Sequence, residues 1–277
     1  MKKVAFITGA SRGIGCETAI AFARAGFNLA ISARTVMPGE QFEHSVCDTD
    51  GTSLTGSLNE TAERCRELGA EVIVLKIDLL DSESVIRCAK KVLTHYKSLD
   101  VLINNAIYQG SDINAPLLDL NQGTLERIAQ GYIISPLLLV QTVLPAMIKQ
   151  GHGTIINITS GAGESDPPSA TGNGGWGYGY GAGKAAVSRL SGIVSREHGS
   201  NGIVALTVNP GVVTTETLKA TIDEVHLSTL SKYSASPELI AQVLLWLTKS
   251  SGAEALQYQT INAQDLARLH NISPVFT

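Results

Sequence analysis

Val4-Ala5-Phe6-Ile7-Thr8-Gly9-Ala10-Ser11-Arg12-Gly13-Ile14-Gly15 is a short apolar run that breaks into a glycine turn and restarts as a helix. Val4 to Ile7 suit a buried strand. Gly9 lets the chain turn tightly, and Gly13 and Gly15 keep side chains away from an approaching diphosphate and from the strand on which the next helix packs. The glycines stand as G-x-x-x-G-x-G and not as the G-x-G-x-x-G of the standard dinucleotide fingerprint. Taken alone, the turn therefore reads either as a phosphate cradle or as a plain joint between strand and helix.

Working outward, the spacing predicts a helix from Ile14 to Ala25 ended by Gly26, then a second strand from Asn28 to Ser32 with Arg34 just past its end. In such a β-α-β unit the end of the second strand lies beside the adenosine ribose of a bound dinucleotide, about 20 residues after the glycines. An acidic residue there would bond a free 2′-hydroxyl. This chain instead offers Arg34, with Arg12 inside the turn, and two guanidinium groups suit a 2′-phosphate through charge-assisted hydrogen bonds. The reading is NADP(H), with NAD(H) kept open; two solvated surface arginines is the plainer alternative.

The 277 residues, 44% hydrophobic and 17% charged, can bury one sizeable core, and one domain over 1–277 is expected. A net charge of −4 without a Lys/Arg run argues against nucleic acid. The apolar start stops at Thr8-Gly9, so it reads as a first strand and not a leader. No stretch is read as a membrane span, and a cytoplasmic location is expected. Cys16, Cys47, Cys65 and Cys88 are too scattered for a redox or zinc pair, and no metal is expected.

Residues 35–57 are polar and without period, an insertion on the adenosine side whose role stays open. Helices are expected from Leu58 to Leu68, from a Ser82 cap to Tyr96, and from Leu117 to Gln150 with interruptions near Gly131 and Pro136. Others run from Gly179 or Tyr180 to His198 and from Pro237 to Lys249. Strands run from Glu71 to Ile77, Leu99 to Ile103, Thr154 to Ile158 and Ile203 to Val208. Strands alternating with helices imply an α/β fold, a Rossmann-type, doubly wound parallel sheet of about seven strands flanked by helices.

Tyr180 and Lys184 stand four residues apart at the start of a helix, on one face. A neighbouring cation favours the phenolate of a tyrosine whose free pKa is ~10. The strand from Thr154 to Ile158 ends in Thr159-Ser160, which brings a hydroxyl to the carboxyl edge of the sheet, where open α/β sheets bind ligands.

With Thr8-Gly9-x-x-x-Gly13-Ile14-Gly15, Asp78-Leu79, Asn104-Asn105-Ala106, Ser160, Tyr180-x-x-x-Lys184 and Asn209 to Thr215 in this order, the chain resembles a short-chain dehydrogenase/reductase from Thr8 to about Leu247. The resemblance implies that Tyr180 is the general acid/base, that Lys184 holds the nicotinamide ribose and lowers the pKa of Tyr180, and that Ser160 orients the substrate oxygen. The cofactor would meet Gly9, Ser11, Arg12, Gly13, Ile14, Gly15, Arg34, Asp78, Leu79, Asn104, Asn105, Ala106, Tyr180, Lys184, Pro210, Gly211, Val213 and Thr215. The implied reaction is hydride transfer between nicotinamide and the carbonyl carbon of a small alcohol or ketone. Relatives commonly form homodimers or homotetramers, and the apolar run Leu137 to Met147 is compatible with that.

Three departures stand out: Tyr132 occupies the place of a catalytic asparagine, Ile107 that of a glycine, and residues 257–277 lack the glycine-rich ending and read as a variable tail. Tyr132 puts the proton relay in doubt, so a non-catalytic cofactor-binding sensor is the alternative; enoyl reduction or epimerisation on the same scaffold is a third. Residues 161–179, with Trp176, and 214–236 are expected to border substrate. Trp176 reads equally as a stacking platform or a packing anchor, and His226 and Tyr233 as surface residues.

Overall fold

Short strands with no polar face must be covered on both sides, and parallel sheets meet that demand with crossover helices. In the computed structural model, which describes residues 2–47, 51–221 and 233–274, this is the arrangement. The strands are β1 (Val4–Thr8), β2 (Asn28–Ala33), β3 (Val72–Lys76), β4 (Val101–Asn104), β5 (Gly153–Ile158), β6 (Ile203–Asn209) and β7 (Thr260–Asn262). They form one seven-stranded sheet in the order β3-β2-β1-β4-β5-β6-β7, every pairing parallel. The doubly wound expectation holds, and the order reverses between β1 and β4, which opens a crevice at their carboxyl ends.

One face of the sheet carries α1 (Gly13–Arg24) and α2 (Leu58–Glu67), packed through Phe22, Leu58 and Cys65. The other carries α3 (Ser82–Tyr96), packed through Val85 and Val92. Asp81, not the expected Ser82, caps α3, its carboxylate accepting from the Glu83 amide at 2.9 Å; Asp, one residue earlier, is an equally good cap. The expected interrupted helix divides into α4 (Gln122–Ile128), a π-turn (Ala129–Ile134) and α5 (Ser135–Gln150). By length and composition this 29-residue run could cross a membrane, which corrects the expectation that no such stretch exists; half of its apolar window is buried inside the fold.

Helix α6 (Tyr178–His198) follows β5, α7 (Glu216–Thr221) follows β6, and α8 (Pro237–Lys249) lies against α1. The segment read as a tail is structured: β7 completes the sheet and α9 (Ala263–Leu269) follows, capped by Asn262. From α9 the Gln264 side-chain amide donates to the carbonyls of Pro210 and Val212 at 3.1 and 3.0 Å, fastening the turn after β6. Residues 48–50, residues 222–232 of the expected 214–236 loop, including His226, and the last residues of the tail lie outside the described residues.

Candidate active site

The glycine turn is built as its sequence requires. Gly9 has a left-handed backbone (φ +70°), and a Cβ on Gly15 would collide with the Gly9 carbonyl oxygen. Thr8 Oγ1 accepts from the amides of Asn105 and Ala106 at 3.1 and 3.0 Å, and the Asn105 side chain donates to Thr8 O at 2.9 Å. The turns after β1 and β4 therefore move as one.

At the other end, β5 and α6 are fastened together. The Thr159 hydroxyl bonds the Lys184 carbonyl at 3.1 Å and the Ser188 hydroxyl at 2.7 Å. Gly163, three residues past Ser160, lies so close to α6 that a Cβ would be 2.7 Å from the backbone at Lys184 and Ala185. This packing fixes Ser160 relative to Tyr180 and Lys184.

Lys184 Nζ donates to the Ile158 carbonyl at 3.0 Å, and the residue is 4% exposed. Burial lowers its pKa to about 8. Burial raises the Tyr180 phenol, and a hydrogen bond with Ser160 pulls it partly back. The resemblance implies that Lys184 lowers this phenol, but in the free protein the lowering comes from Ser160. Tyr132 fills the space beside both residues. It is 1% exposed, stands edge-on to Tyr180 with ring centres 6.3 Å apart at 86°, and its hydroxyl has no partner among the described residues.

A cavity of about 750 Å³ runs from Arg34 past the glycine turn to Ser160, Tyr180 and Lys184. Of the expected cofactor residues, Gly9, Ser11, Arg12, Gly13, Ile14, Arg34, Asp78, Leu79, Asn105, Ala106, Pro210, Val213 and Thr215 line it. Three are placed elsewhere. Gly15 packs on the Gly9 carbonyl, Gly211 lies against Gln264, and Asn104 is buried between strands, its side-chain amide donating to Asn157 at 2.8 Å. No group of three or more His, Cys, Asp or Glu side chains suited to a metal occurs among the described residues.

The insertion forms one wall of the cavity at its Arg34 end. Ser45, Val46 and Leu54 line the cavity. Arg12 donates to the carbonyls of Leu54, Thr55 and Gly56, and Arg34 to the Glu43 carbonyl and the Ser45 hydroxyl. The two guanidinium groups are neighbours: burial lowers the pKa of Arg12, Glu216 opposes this, and the Arg34 cation adds to the lowering. Phe42 is packed between Arg34 and Lys76, 5.5 and 4.9 Å from its ring centre.

The loop after β4 is a feature that sequence reasoning missed. Burial would raise Asp112, but hydrogen bonds from Thr124, Arg127 and Tyr108 outweigh it and hold the carboxyl at about 2. This cluster ties the loop to α4 and sets Tyr108, Gln109, Ile113 and Asn114 on the cavity wall. Partners this far apart in an aperiodic loop leave no spacing signal. Trp176 also lines the cavity, half-buried, its indole within 3.6 Å of where a Cβ on Gly181 would stand. Tyr178 and Tyr233 are exposed.

The family model for short chain dehydrogenases matches residues 3–226. The short chain dehydrogenase citE of Monascus ruber is 31% identical over 248 residues, covering 89% of this chain and 76% of that protein. Among solved structures, a 7 alpha-hydroxysteroid dehydrogenase complexed with NADH and 7-oxo glycochenodeoxycholic acid is 26% identical with a TM-score of 0.76, covering 94% of this chain and 92% of that one. An alcohol dehydrogenase from Thermococcus sibiricus complexed with 5-hydroxy-NADP is 25% identical with a TM-score of 0.72, covering 95% and 96%.

Proposed function

This chain belongs to the short-chain dehydrogenase family, and from that premise we propose that it is an NADP(H)-dependent oxidoreductase interconverting a secondary alcohol and a ketone, or an aldehyde-level carbonyl and its alcohol. The observation that carries the reading is the convergence of Ser160, Tyr180 and Lys184 at one end of a cavity whose other end is a glycine turn flanked by two arginines. The cradle fits a dinucleotide, because Gly9 and Gly13 line it with bare backbone, and the volume falls within the ~300–1,000 Å³ of ligand clefts. The related structures carry NADH in one case and an NADP derivative in the other. Arg12 and Arg34 favour the phosphorylated cofactor here.

When bound, the cofactor supplies or accepts the hydride. The chain's own residues manage the oxygen. Ser160, at the end of β5, would hold the substrate oxygen, and Tyr180 would exchange its phenolic proton with it. With its pKa raised by burial, Tyr180 is protonated at neutral pH, the form that donates a proton to a forming alkoxide. Lys184 would hold the ribose hydroxyls and keep a positive field beside the phenol.

On the substrate side, Ile107, Ile113 and Trp176 give an apolar wall that suits a flat or apolar carbonyl compound. Ile133, Ile134 and Leu137 are exposed at the π-turn and the start of α5, and we read them as the face through which copies associate as a homodimer or homotetramer. The test is NADPH oxidation by the purified protein with a panel of aldehydes and ketones, beside Tyr180→Phe. Turnover by the native chain and a loss of roughly 10²- to 10⁴-fold in the variant is the expected result. NADPH binding with no turnover of any carbonyl would instead mark a cofactor-binding sensor.

A further inference from the structure

Lys184 is a buried cation whose surroundings are unusual: among the described residues no carboxylate pairs with it. The groups that face it are Tyr180 on its own helix, Tyr132 on the π-turn and the Ile158 carbonyl on β5, with Nζ 6.0 Å from the Tyr180 ring centre, 5.8 Å from that of Tyr132 and 3.0 Å from the carbonyl oxygen. The ammonium thus lies about equally far from two neighbouring aromatic rings that are themselves nearly perpendicular to each other. Burial alone accounts for its lowered pKa, with no charged side chain contributing.

The chain is shaped to admit the second ring. A Cβ on Gly183 would stand 2.7 and 2.8 Å from atoms of the Tyr132 ring, so helix α6 is bare where the ring lies against it. The π-turn carries Tyr132 into the interior, where Ile128 and Val187 pack around it. The Tyr132 hydroxyl makes no hydrogen bond among the described residues. The contacts that place Tyr132 beside Lys184, Tyr180 and Gly183 are all made by its ring.

We propose that Tyr132 is a positioning residue for the acid/base pair: its ring takes the place of a counter-ion on Lys184 and braces the Tyr180 ring edge-on, which holds the ammonium and the phenol in register. An aromatic quadrupole stabilises a desolvated cation by an amount worth about one pH unit in its titration. The proposal gives the departure at this position a physical role and rests on the reading of Tyr180 and Lys184 as the reacting pair.

The experiment follows the Lys184 side chain by NMR in cofactor-free protein labelled at lysine Cε, titrated in the native chain, Y132F and Y132L, with assignment from K184M. The expected result is that Y132F titrates with the native chain, while Y132L titrates about one unit lower, because loss of the ring disfavours the cation. In NADPH-dependent carbonyl reduction, the limb of the pH–rate profile that reports this lysine moves down by the same amount in Y132L and stays in place in Y132F. Should Y132L not fold, G183A displaces the ring without emptying its site and is expected to shift the titration in the same direction.

An unshifted Lys184 in Y132L or, if that variant does not fold, in G183A would overturn the proposal. So would a Y132F that shifts as far as Y132L, since the oxygen would then be the active group. Because the NMR titration needs no substrate, a protein that shifts as expected yet reduces no carbonyl refutes the oxidoreductase reading and keeps only the ring's hold on the Lys184 ammonium, so the two failures are told apart.

Discussion

The two ends of the cavity solve opposite electrostatic problems. At the adenosine end, Arg12 and Arg34 rest on backbone carbonyls of the insertion, with Phe42 beneath Arg34 and solvent close by. At the catalytic end, Lys184 is buried among two rings, one carbonyl and the β5 strand, with Tyr180 beside it on the cavity wall. Charge at the first end is only partly buried and rests on backbone carbonyls and a hydroxyl. Charge at the second is desolvated and held by fixed groups. The contrast teaches that substitutions at the catalytic end should alter chemistry and stability steeply, whereas those at the adenosine end should adjust preference.

The largest effect is expected from Tyr180→Phe, which keeps the ring packed on Tyr132 but removes the transferable proton. Turnover of any carbonyl substrate should fall by roughly 10²- to 10⁴-fold with cofactor binding retained, measured by steady-state rates beside fluorescence titration. A variant with native rates would dissolve the contrast.

Lys184→Met separates function from stability. The folded pKa of about 8 lies below the unfolded value of 10.5, so the unfolded chain binds more protons between them and burial of the cation opposes folding at pH 7. That penalty is present in full below pH 8 and fades as the pH rises through 8 to 10.5. Met should therefore abolish activity yet raise the stability of the cofactor-free protein at pH 7 by on the order of 1–3 kcal/mol, less what the Ile158 carbonyl loses, with the gain shrinking toward pH 10. Urea denaturation at several pH values checks it; a gain that is constant with pH would contradict the assignment.

Arg34→Asp should weaken NADPH and favour NADH, with the ratio of specificity constants moving by about 10- to 100-fold, the worth of one or two hydrogen bonds to a charged group. An unchanged ratio would mean that the arginines serve only to anchor the insertion. Smallest is Trp176→Ala, expected to raise KM for flat aromatic ketones several-fold while leaving small aliphatic ones unmoved; equal changes for both would make the indole a packing anchor.

Much of this was legible in the chain because it obeys local rules. The glycine turn, the six longer strands and the Tyr180-to-Lys184 spacing each follow from period or backbone freedom. What escaped depends on partners distant in sequence. β7 is three residues long, and only its pairing with β6 makes it a strand. The insertion has no period, yet its carbonyls organise Arg12 from some 40 residues away. Asp112 reads as an ordinary loop carboxylate until Thr124, Arg127 and Tyr108 close on it.

The clasp by which Gln264 grips Pro210 and Val212 has a consequence for synthesis. The wall that carries Val213 and Thr215 stays unlatched until α9 has left the ribosome, long after the glycine turn has been made. A nascent chain thus has the Val213 and Thr215 side of the cavity unfastened until α9 has followed β6 out, and Gln264 is the bolt that fixes it.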